Sequence, residues 1–119
     1  MLVVHAVLAV AVVAIAAAGA VWGFVAYRRP RAGGRWLDQV LALAQTLLIA
    51  QVAVGLYLLT QGRRAPEDLH YAYGTLALAA VLAPWLYAPP EPRRRLLWFA
   101  VATLLATALA VRAYTTGGQ

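Results

Sequence analysis

The chain has 119 residues, 64% of them hydrophobic and only 12% charged, with a mean hydropathy of +0.74. A soluble domain of this length needs more polar surface, and the absence of cysteine excludes disulfides, thiolate metal sites and cysteine nucleophiles. The net charge of +6 rests on ten arginines, but their placement argues against nucleic acid, because Arg28, Arg29, Arg31 and Arg35 form one cluster and Arg93–Arg95 another, each between apolar runs.

The first apolar run covers about residues 3–26 and opens with His5, one of only two histidines. No basic residue precedes it, and the arginines follow it instead, which favours a retained span over a signal peptide. The face below His5 reads Ala9, Val12, Ala16, Gly19 and Gly23 at helical spacing. Gly19 and Gly23 form a G-x-x-x-G pair, a pattern that lets helix backbones approach closely and that suggests a homodimer contact.

After the first arginine cluster, a second run covers about 36–60. It carries Asp38 early, where a helix N-terminus favours an anion. Gln45 lies near its middle and Gln51 closer to its end, on different faces. Polar side chains in hydrocarbon turn inward. Either interhelical hydrogen bonds or the lining of a cofactor or quinone pocket accounts for Gln51, which shares a face with Gly55.

Gln-Gly-Arg-Arg-Ala-Pro-Glu-Asp at 61–68 breaks the pattern, and the third run, about 70–87, starts at His70, the second histidine. Gly74, Ala77, Val81 and Pro84 lie on the His70 face. Pro84 removes a backbone hydrogen bond, so a kink is expected there. Ala-Pro-Pro-Glu-Pro and the arginine triplet lead to a fourth run at about 96–114, with Arg112 in its last turn. Thr46, Thr103 and Thr107 are expected to bond backbone carbonyls.

Each run approaches the roughly 17–25 residues that cross a bilayer, and the loops are short. The expected architecture is therefore all-α: one domain over 1–119, an integral membrane, antiparallel four-helix bundle. Seven arginines in the first and third loops put those loops inside and both termini outside a bacterial cell membrane. Trp22, Trp36, Trp85 and Trp98 then lie near the inner ends, and Tyr57, Tyr71, Tyr73 and Tyr114 near the outer ends, as interfacial anchors do. His5 stands as far before Arg28 as His70 before Arg93, which suggests two related hairpins. Such a repeat sets His5 and His70 opposite each other on diagonal helices at one depth.

Two imidazoles so placed, above small residues, can grip the iron of a haem b from both sides. Arg112 lies at a similar depth and suits the propionates, since its planar fork binds carboxylates, with Tyr71 and Tyr114 as further donors and Gly74 leaving room for the ring. Glu67 and Asp68, with His5 and His70, form a weaker metal candidate. No carboxylate lies inside the expected hydrocarbon layer, which argues against proton-coupled transport. No phosphate-binding loop and no nucleophilic constellation is present, so an electron-transfer protein or subunit is favoured over a stand-alone enzyme.

With the histidine pair, four spans and the arginine loops, the chain resembles small membrane-embedded b-type cytochromes built on four helices. That resemblance implies electron transfer between a donor and quinone or a larger membrane complex, with the lipid bilayer as the surroundings. Many such proteins hold two haems on two histidine pairs, and this chain offers one pair. The alternative is a cofactor-free accessory or assembly subunit of a respiratory or photosynthetic membrane complex, suggested by the small size and the G-x-x-x-G face.

Overall fold

A computed structural model describes residues 2–65 and 68–116. Four helices dominate it: α1 (Leu2–Arg28), α2 (Arg35–Thr60), α3 (Leu69–Tyr87) and α4 (Pro92–Thr116), with a 3-10 turn at Pro30–Ala32 between the first two. All four are long and apolar enough to cross a membrane. Between 17 and 33% of each helix's most apolar stretch is buried within the molecule, so most of its hydrophobic surface faces outward. The bundle is elongated, 47 × 24 × 19 Å.

Small residues decide how the helices pack. The buried face of α1 is His5, Ala9, Val12, Ala16, Gly19, Ala20, Gly23 and Ala26, which keeps the stripe expected from helical spacing. A Cβ on Gly23 would stand 3.0 Å from the Ala100 Cβ on α4, and one on Gly19 would stand 3.3 Å from Leu41 and Val40 on α2. The G-x-x-x-G pair is thus spent inside the bundle. The sides of Gly19 and Gly23 are filled by α2 and α4 of the same chain.

The helices run up and down, with α1 against α2 and α4, and α3 against α4. Helices α1 and α3 lie on a diagonal, and α2 meets α3 far more sparsely than the other neighbours meet. Two packed clusters fill the interior. Val12, Leu48, Ala77, Val81 and Ala106 occupy the middle, and Ala26, Leu37 and Leu41 one end.

Both arginine clusters lie at that second end. Arg93 on α4 stacks over the Tyr27 ring of α1 at 4.3 Å and donates to the Tyr27 carbonyl at 3.4 Å. Two tryptophans there do more than anchor. Trp22 donates to the Ala32 carbonyl at 2.5 Å, and Trp85 donates across the sparse α2–α3 seam to Gln45 Oε1 at 2.8 Å. Gln45 is buried, and this partner settles its role as an interhelical hydrogen bond.

Local capping decides two helix ends. Helix α4 begins at Pro92 rather than near 96, taking the arginine triplet into its first turns. The Glu91 carboxylate accepts the backbone N–H groups of Arg93 at 3.0 Å and Arg94 at 2.9 Å, and Pro92 suits the first helical position. At the other end α2 closes in a Schellman motif. Arg63 N–H donates to the Leu58 carbonyl and Gly62 N–H to that of Leu59, both at 3.1 Å, with Gly62 at φ 78°. Helix α3 continues through Pro84 to Tyr87. Thr46 and Thr107 bond the carbonyls one turn earlier, as expected.

Candidate cofactor site

Helical spacing on α1 carries His5 into the bundle at the end away from the arginine clusters, and the diagonal position of α3 brings His70 towards it. Their ring centres are 6.1 Å apart, with planes at 75°, in an edge-to-face contact. His5 is 8% exposed. Gly55 on α2 makes its place: a Cβ there would lie 3.2 Å from His5 Cε1.

His70 is oriented by a second contact. Its Nδ1 lies 2.7 Å from the Ala113 carbonyl of α4. A carbonyl only accepts, so this nitrogen carries the proton and donates, and the Nε2 lone pair is left free. The Tyr71 ring packs against His70 with centres 5.6 Å apart. Tyr71 also ties down the preceding loop, since its hydroxyl accepts the Ala65 N–H at 2.8 Å.

Around the pair is a cavity of about 400 Å³, inside the range of small-molecule and cofactor sites. Its apolar wall includes Ala9, Val12, Leu48 and Val52, and Gln51, Gly74, Tyr71 and Tyr114 also line it. A Cβ on Gly74 would meet nothing within 4 Å, so the space one turn below His70 is open.

Of the predicted site residues, the structure brings His5, His70, Gly74, Tyr71 and Tyr114 to one cavity. Arg112 is placed elsewhere. It is exposed and sits over the Tyr73 ring at 5.5 Å, outside the cavity wall. Arg63 and Arg64 line the cavity instead. The Gly62 turn sets their position, which depth along a helix could not show. Glu67 lies outside the described residues. Among the described residues, no group of three or more His, Cys, Asp or Glu is placed to hold a metal ion.

The donor set can be tested against a haem. Two imidazoles on opposite sides of one metal, each nitrogen about 2 Å away, have ring centres about 6 Å apart, close to the 6.1 Å found. His70 has the tautomer that leaves Nε2 for a metal, and its Nδ1–H partner is the kind of outer contact that fixes a ligating imidazole. Arg63 and Arg64 supply the cations that propionates require. The edge-to-face contact of the rings must open as a flat group enters. The residues fit on donor type and charge.

Comparison with protein families, with curated proteins and with solved structures returns no match.

Proposed function

We propose that the protein binds one haem b between His5 and His70 and acts in electron transfer as a membrane protein. One observation carries this reading: two histidines from diagonal helices meet at 6.1 Å in a largely apolar cavity. When bound, the haem supplies a one-electron couple. The chain's own residues do the rest. His70 is held in register by the Ala113 carbonyl, the apolar wall of α1 and α2 excludes water, and Arg63 and Arg64 offset carboxylate charge at the mouth. Burial and hydrogen bonding of this kind tune a haem's potential.

Four apolar helices with outward-facing hydrophobic surface support an integral membrane location. Seven arginines at the far end of the bundle favour that end as cytoplasmic, which sets both termini and the histidine pair at the external face of a bacterial cell membrane. Quinone or a larger membrane complex is the proposed electron partner. The G-x-x-x-G face that suggested a cofactor-free accessory subunit is occupied within the bundle and no longer favours that reading.

The test is an absorption spectrum of protein purified in detergent after expression with sufficient haem. A Soret band with reduced α and β bands is expected, and it should be lost in both His5→Ala and His70→Ala. A fully helical, colourless wild-type protein that takes up no added haem would overturn the proposal.

A further inference from the structure

The two histidines are matched in depth but not in their outer contacts. His70 Nδ1 has the Ala113 carbonyl, whereas His5 Nδ1 is buried with no hydrogen-bond partner. A second buried atom shares this condition, Gln51 Oε1. Both residues line the same cavity. Gln51 lies one helical turn from Gly55, on the face of α2 that packs against the His5 ring. Buried polar atoms are nearly always paired, and an amide oxygen can only accept. An unpaired imidazole nitrogen and an unpaired acceptor on one wall are therefore complementary.

We infer that Gln51 is the positioning residue of His5, its Oε1 accepting the His5 Nδ1–H and leaving the Nε2 lone pair for iron. This rests on the haem reading above. It gives His5 the arrangement His70 already has, with α2 supplying a side-chain oxygen where α4 supplies a backbone carbonyl. The pairing also accounts for an uncharged polar group in an otherwise apolar stretch of α2. Gln45, the buried glutamine of that helix, is engaged by Trp85 and has no such task.

A hydrogen bond from a ligating imidazole raises its basicity, and a more basic ligand stabilises ferric over ferrous iron. The test is redox titration and low-temperature electron paramagnetic resonance of haem-loaded wild type, Gln51→Leu, Gln51→Glu and the control Gln45→Leu. Removal of the acceptor in Gln51→Leu should change the ferric-to-ferrous affinity ratio about tenfold against the ferric form, a rise of about 59 mV for one electron. Gln51→Glu, a stronger and charged acceptor, should move the potential the other way. Gln45→Leu should leave it in place. Opposite shifts are a signature that a purely structural role cannot give, and if one Gln51 variant fails to fold, changed g-values in the other, absent in Gln45→Leu, decide the matter. Haem bound through both histidines with unmoved potentials and unchanged g-values in the Gln51 variants would overturn the inference alone. A wild type without haem would overturn it together with the reading beneath it.

Discussion

At the residue scale, two glycines near the histidines do opposite things. Gly55 is needed for close approach, since even a methyl group would stand 3.2 Å from His5 Cε1. Gly74 faces open cavity, with nothing within 4 Å of an added Cβ. Alanine is the better helix former by about 0.8–1.0 kcal/mol. Gly74→Ala is therefore expected to raise thermal stability, read by circular dichroism in detergent, while weakening haem uptake in a titration followed at the Soret band. Gly55→Val should keep the helices and lose the haem spectrum, because the bulkier side chain displaces the His5 ring. The histidine pair was legible in the sequence because both positions fall at the same depth of an antiparallel bundle. Arg112 was not, since depth along a helix says nothing of direction around it, and the ring it stacks on, Tyr73, is not part of the cavity wall.

At the element scale, the helices themselves follow from apolar runs, but their ends follow from caps. Hydropathy placed the start of α4 after the arginine triplet, because charged residues read as loop. The Glu91 carboxylate and Pro92 override that reading by satisfying the first backbone donors. The same two N–H groups, that of Arg94 foremost, hold the Glu91 carboxyl below its ordinary value of 4.5, helped by the Arg94 and Arg93 charges. A depressed carboxyl stabilises the fold fully above its unfolded value and loses that effect as pH falls through its folded value. The melting difference between wild type and Glu91→Gln should accordingly hold steady from neutral pH downward and close in the acid range. A difference that widened on acidification would count against the cap. At the end of α2, Gly62 at φ 78° occupies the left-handed position of the Schellman turn. Gly62→Ala should cost about 1 kcal/mol, measured by denaturant titration in micelles, and should disturb Arg63 and Arg64, which the turn sets at the cavity mouth.

At the scale of the whole molecule, the diagonal pairing of α1 and α3 was legible, because short loops leave an up-down bundle little choice. The unequal seams were not. Close packing of α1 on its neighbours uses its glycines, Gly23 against Ala100 of α4 and Gly19 against Val40 and Leu41 of α2, whereas the sparser α2–α3 seam carries a hydrogen bond that sequence could not match, Trp85 to Gln45. A double-mutant cycle with Trp85→Phe and Gln45→Leu should return a coupling of about 0.6 kcal/mol, the usual size for hydrogen bonds between helices in a membrane. That thin seam also bears on how the molecule is completed. Three sides of the bundle are closely packed, and the fourth meets more sparsely, with its hydrogen bond, Trp85 to Gln45, at the end far from the histidines. On the haem reading, a guest arriving from the surrounding lipid would find this seam the least tightly packed side of the bundle.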